Sequence, residues 1–192
     1  MSSTPFRLLS SRCMKRILVS AAFFLTAHPF PAAAQTFAAG GGGIILSDVG
    51  TGSDLSGFNS FGGFIFVEMQ LEEYTSFQLR ASLFDLPGTQ PNTPKLKTNA
   101  ETATISYGFG EGWWKAGFFA GVGAYHLAPK ALQAGQVSVD SKETVFGVNG
   151  GAFTSFMLAR RWDARLEVQW TYIVSVVAHK PVSFTAGFAY QF

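Results

Sequence analysis

The side chains able to carry chemistry are few, and their spacing does not assemble a reaction centre. After residue 34 the chain has two histidines, His126 and His179, both near expected strand or loop ends. A hydroxyl nucleophile needs a base within hydrogen-bond reach. Ser138 and Asp140 lie in the same expected loop that follows His126, with no spacing that brings the three together. An interfacial histidine at a strand end is the better reading of His126. Two histidines without a carboxylate cluster make a weak metal site. The run Gly40-Gly41-Gly42-Gly43 lacks the Lys-Ser/Thr that completes a phosphate loop and falls inside a strand-like segment. Glycine in such a strand marks a bend or close packing against a bulky neighbour. Cys13 is the chain's one cysteine and lies in a leader, so disulfides and thiolate ligands are excluded after it. No catalytic residue, cofactor or metal is expected.

The charges are more informative. In 163–174, Arg165, Glu167, Gln169 and Thr171 alternate with Leu166, Val168, Trp170 and Tyr172. In 76–85, Gln78, Arg80 and Ser82 alternate with Phe77, Leu79, Ala81 and Leu83; in 60–70, Glu68 and Gln70 alternate with Ile65, Val67 and Met69. In 113–126, Lys115, Gly117, Phe119 and Gly121 alternate with Trp114, Ala116, Phe118 and Ala120. Successive strand side chains point to opposite faces, so each segment has one apolar and one polar face. Facing lipid, Lys or Arg costs about 2–4 kcal/mol near the midplane. The charged set Glu68, Arg80, Lys115, Arg165 and Glu167 is therefore expected inside a barrel. A hairpin centred near Glu73 and Tyr74 sets opposed numbers summing to about 148, which places Glu68 opposite Arg80.

The elements that must position these residues follow a rhythm. Arg7, Arg12, Lys15 and Arg16 precede the apolar run Ile17–Leu25, and Ala32-Ala33-Ala34 precedes Gln35, the pattern of a cleaved secretory signal over 1–34. A start at Met14 would give a more compact leader. Residues 35–192 form one domain of 192 − 34 = 158 residues. Four of the 14 basic residues leave with the leader, so 10 basic face 12 acidic and the net charge turns from +2 to −2. Nothing in that balance points to nucleic acid. No apolar run is long enough for a spanning helix. Strand-like segments fall at about 36–46, 60–70, 76–85, 99–109, 113–126, 142–157, 163–174 and 182–192. Their connections alternate long (47–59, 86–98, 127–141) and short, with a medium link at 175–181 last, the signature of an eight-stranded antiparallel up-and-down transmembrane barrel, all-β throughout. A lumen this narrow is filled by its own side chains, with Phe84, Phe119 and Phe153 among the charges.

The last strand is the cleanest. Val182, Phe184, Ala186, Phe188, Tyr190 and Phe192 share one face, against Ser183, Thr185, Gly187, Ala189 and Gln191. Trp113, Trp114 and Trp162 fall beside short turns, where an interfacial aromatic girdle belongs. A lipocalin-like soluble barrel is the rival; it would bury the apolar faces inward. The stretches KAGFFAGVGAY (115–125), FGVNGGAF (146–153) and RWDARLEVQWTY (161–172) resemble the small outer-membrane β-barrel family of the OmpA transmembrane domain and OmpX-like proteins. That resemblance covers 35–192 and implies residence in a Gram-negative-type outer membrane among phospholipid and lipopolysaccharide. It also implies that Phe188, Tyr190 and Phe192 act as the signal read by the barrel-assembly machinery. The expected role is structural or surface-interacting, with specificity in the long loops. A lipid A-modifying enzyme and a narrow channel are the alternatives. The deacylase pattern His-x-Ser is not met, because Leu127 and Ala128 follow His126. The wall-binding domain of OmpA-type proteins has no counterpart, so a tethering role is not carried over.

Overall fold

The computed structural model describes residues 36–48, 60–86, 96–129, 143–174 and 180–192. The expected leader, most of the long loops, and with them Ser138, Asp140 and His179, lie outside the described residues.

Eight strands follow one another in chain order: β1 Phe37–Asp48, β2 Ser60–Gln70, β3 Thr75–Leu86, β4 Leu96–Phe109, β5 Trp114–Pro129, β6 Glu143–Ala159, β7 Trp162–Val174 and β8 Pro181–Gln191. Each pairs antiparallel with the next, and β8 closes on β1. The sheet therefore has no free edge, which removes the unpaired backbone groups that any apolar surrounding would penalise.

The stagger fixes the shape. From Phe37 the ladder runs through Met69, Phe77, Ile105, Ala120, Gly150, Trp170 and Val182 back to β1 at Ser47. One circuit thus shifts register by 47 − 37 = 10 residues. With strands about 4.8 Å apart and about 3.3 Å of rise per residue, ten residues over eight strands gives a tilt of about 40°. Both described termini and the short turns fall at one end of the barrel.

Side chains alternate as the sequence predicts. Phe118, Val122, Phe146, Val148, Phe184 and Phe188 are exposed on the outer wall, while Phe64, Phe66, Phe119, Gln78, Glu167 and Thr185 are buried inside. A soluble barrel would have the reverse pattern. The strand β1 carries four glycines yet pairs without interruption on both sides. The reason is close approach: a Cβ on Gly40 would sit 2.6 Å from the Phe66 ring and 2.1 Å from the Phe188 carbonyl. Its missing side chain is filled by Phe66 from the neighbouring strand. At the β4–β5 turn, Gly112 has φ +68°, a conformation that penalises any Cβ.

Several boundaries depart from the sequence reading by a few residues, most clearly on β4 and β5. The segments 96–98 and 127–129, expected in loops, extend β4 and β5. Leu127 and Thr98 are buried inside, so the alternation simply continues beyond where prolines suggested a stop. Pro129 is tolerated because it ends its strand.

Candidate functional site

Inside the barrel the charges form one network. Arg80 on β3 donates from Nη2 to both Glu167 carboxylate oxygens, at 2.7 and 2.6 Å. Glu167 on β7 also accepts from the Thr185 hydroxyl at 3.0 Å, and Arg165 Nε stands 2.8 Å from its Oε1 as an ionic contact lacking hydrogen-bond alignment. Arg165 Nη1 donates to Glu68 Oε2 at 2.6 Å. Glu68 further accepts from Gln78 at 3.1 Å and Ser76 at 3.0 Å. The two guanidinium groups also cover rings: Arg80 lies 4.5 Å above Phe64 and Arg165 4.2 Å above Phe153. Two carboxylates and two guanidinium groups thus sit in one cluster, with Arg80 and Glu167 buried and Glu68 and Arg165 partly buried. Its net charge is zero, the condition under which such groups tolerate burial.

The register of one hairpin corrects an expectation. Opposed residues on β2 and β3 sum to 146, so Glu68 faces Gln78 and Arg80 faces Phe66. A slip of two keeps every side chain on its face and changes only its partner. Arg80 therefore pairs across the lumen with Glu167 rather than across the hairpin with Glu68. Lys115, the fifth expected member, is exposed at the short-turn mouth and forms no ion pair among the described residues.

The lumen has three levels. At the short-turn end is an open recess of about 380 Å³, lined in part by Glu68, Lys115, Phe153, Asp163 and Arg165. Above it lies the charged cluster, with a void of about 20 Å³ beside Arg80, Tyr125 and Thr171. That is room for about one water. At the opposite end Leu86, Ala100, Tyr125, Leu127, Val145 and Ile173 pack into an apolar plug, with Phe84 and Leu96 against it. A second apolar cluster is built on Ile44, Leu46, Phe64 and Phe66. Sequence reasoning placed Phe84, Phe119 and Phe153 inside but missed this plug. The alternation through Leu127, Val145 and Ile173 was the available signal.

Several aromatic residues ring the short-turn end, while Trp170 and Tyr172 stack at 6.2 Å toward the other. Trp113 stacks on Phe156 at 5.9 Å, Trp162 meets Tyr190 edge-on at 5.2 Å, and Tyr190 meets Phe192 at 5.3 Å. Trp114 donates its indole N–H to Thr154 at 2.9 Å. Phe188 points outward on the same face as Tyr190. In the turns, the Glu73 carboxylate raises the Tyr74 phenol above its ordinary range by hydrogen bonding and repulsion. Arg161 donates to the Tyr190 hydroxyl at 3.1 Å.

His126 lies on the outer wall, its Nδ1 2.8 Å from the Thr144 hydroxyl. Among the described residues no cluster of His, Cys, Asp and Glu could hold a metal.

A closed, staggered eight-stranded barrel with an apolar exterior and a charged interior defines an architecture shared by small outer-membrane proteins. Solved structures of that class are similar to this chain. The outer membrane protein OprG of Pseudomonas aeruginosa superposes with a TM-score of 0.59 at 15% identity, covering 83% of this chain and 96% of that one. Neisserial surface protein A gives 0.56 at 15%, covering 82% and 97%. The N-terminal barrel domain of Pseudomonas aeruginosa OprF gives 0.57 at 12%, covering 82% and 97%. By sequence, no family model and no curated protein matches. The shared property is the fold.

Proposed function

We propose that this chain is an integral outer-membrane barrel with a structural or surface-interaction role and a lumen that does not conduct. One observation carries this reading: apolar residues face outward along the strands, while the charges inside form a neutral cluster capped by an apolar plug. An exterior of Phe, Val, Ile and Leu has no use in water but suits hydrocarbon. The short turns and the aromatic residues beside them, Trp113, Trp114 and Trp162, then lie at the periplasmic interface. The long connections face outside and carry any specificity. Phe188, Tyr190 and Phe192 serve as the assembly signal, and the lipid partners are phospholipid and lipopolysaccharide.

A narrow channel is the second reading, favoured by the 380 Å³ recess. That recess opens at one end only, because Arg80, Glu167 and the plug around Tyr125 stand above it. The lipid A-modifying reading has less support, since the hydrogen bond of His126 to Thr144 supplies no nucleophile–base–acid series. The test is fractionation with gel migration before and after boiling. A membrane-inserted species whose migration changes on heating is expected. Recovery of mature protein in the soluble periplasm overturns the reading. Planar-bilayer recording should show no steady openings, and lipid A should have the same composition in cells with and without the protein.

A further inference from the structure

Between the charged cluster and the apolar plug lies a polar layer whose hydrogen-bonding groups do not close on one another. Tyr125 is 1% exposed and Asn149 5%. Among the described residues, four buried polar atoms of this layer have no hydrogen-bond partner: the Tyr125 hydroxyl, Oδ1 and Nδ2 of Asn149, and Nε of Arg80. Buried polar groups in folded proteins are nearly always satisfied, so four open ones at one level need a physical reason.

The backbone brings these groups together. Asn149 on β6 is the register partner of Gly121 on β5 and Thr171 on β7. A Cβ on Gly121 would stand 2.9 Å from Asn149 Oδ1, so the missing side chain makes room for the amide. The Tyr125 ring leans toward the short-turn end over Gly123 and Gly147, where added Cβ atoms would meet its Cε2 at 3.1 and 2.8 Å. Its hydroxyl thereby comes down beside Asn149 and Thr171. Thr171 accepts from Gln169 at 3.0 Å and keeps its own proton to donate. Arg80 enters the layer from below, with Nη2 committed to Glu167 and Nε uncommitted. Arg80, Tyr125 and Thr171 line the same void of about 20 Å³, together with Ser82, Thr102 and Gln169.

We propose that this void is the binding site of one internal water that fastens the apolar plug to the charged cluster. The ligand must be neutral. Glu167 already balances Arg80, so an anion would add an uncompensated buried charge beside Glu167, and a cation would add one beside Arg80. It must also both accept and donate. Water accepts from Arg80 Nε and from the Thr171 hydroxyl and donates to the Tyr125 oxygen; the Tyr125 hydroxyl is then free to donate to Asn149 Oδ1. One water thereby satisfies three of the four open atoms. Chloride could only accept and would leave Tyr125 and Asn149 unjoined. The size agrees, since a void of this volume holds one water, and a polar lining with two to four partners is what keeps such a water in place. The inference stands whether the outer wall faces lipid or solvent.

The test is a crystal structure of the mature protein at a resolution that shows ordered water, with and without a bromide soak. One isolated peak is expected in the void, within hydrogen-bond distance of Arg80 Nε and the Tyr125 oxygen, with no anomalous bromide signal there. Tyr125→Phe removes the hydroxyl and keeps the ring over Gly123 and Gly147, so it should lose the peak and keep all eight strands. Ser155→Ala, in the open recess, should keep the peak. Urea unfolding gives a second readout that needs no crystals. Tyr125→Phe and Asn149→Ala break the same chain of bonds, so the double variant should cost clearly less than the two singles added. A void without a peak in wild type, or a bromide signal in it, overturns the proposal. So does a peak that persists unchanged in Tyr125→Phe, or costs that simply add.

Discussion

Replacing Glu167 by Gln tests the interior network directly. The substitution keeps side-chain volume and removes one negative charge from a group whose side chain is 2% exposed. Arg80, 6% exposed, then has no carboxylate: its only ion-pair partner among the described residues is Glu167. Arg165 keeps Glu68 at 2.6 Å and the Phe153 ring, so the loss falls mainly on Arg80. Removing one member of a buried pair costs about 3–5 kcal/mol, because an uncompensated charge remains. Removing both members costs far less. The double variant Arg80→Met with Glu167→Met should therefore be more stable than Glu167→Gln, with a coupling of roughly 1–3 kcal/mol. The assay is reversible urea unfolding in phospholipid vesicles, followed by the fluorescence of the four tryptophans and by gel migration. Glu167→Gln costing below about 1 kcal/mol, or a double variant as costly as the two singles added, would refute the reasoning.

Three further outcomes are expected. Tyr125→Ala, at the centre of the plug and 1% exposed, should destabilise by about 3–5 kcal/mol in the same titration. Bilayer recording of that variant should remain silent, because Arg80 and Glu167 still close the lumen beneath it. Val148→Arg, on the outer wall, should cost about 2–4 kcal/mol in vesicles. Deleting Phe192 should lower the heat-modifiable fraction in cells while leaving refolding from urea nearly unchanged, since 73% of its surface is exposed; equal loss in both would make its role structural.

Which charges enter the lumen was legible from alternation alone, because a period of two is insensitive to slips of two residues. Partner choice was not. The Glu68–Arg80 expectation failed by two residues in one turn, where Leu71 and Glu72 donate to the Thr75 carbonyl and tighten the hairpin. Across the lumen the difficulty multiplies. Arg80 and Glu167 are 87 residues apart. Their relative height depends on the summed registers of the strand pairs between β3 and β7, and each slip of two residues moves one side chain by about 5 Å. A guanidinium reaches its carboxylate only within about 3 Å. The local pattern thus selects the inward faces, while closure with a stagger of ten decides which charges meet.

That division explains the placement of polar residues on the outer wall as well. Glu101 obeys the alternation on β4 as strictly as Ile105 or Tyr107. Read along its own strand it looks like an ordinary exposed carboxylate near a loop, because the expected strand began at residue 99. β4's extension to Leu96 and its register with Ala81 and Ala124 set it on the outer wall well within the strand, among small apolar neighbours. The lumenal carboxylate Glu167 is neutralised by Arg80 from β3 and by Arg165 from its own strand. The outer wall offers Glu101 no such strand, since what lies opposite is solvent or lipid. Placing Glu101 and Glu167 in one series, each changed to its uncharged counterpart in phosphatidylcholine, gives the sign test. Loss of Glu167 destabilises because its partners are built in; loss of Glu101 does not, because it has no ion-pair partner among the described residues.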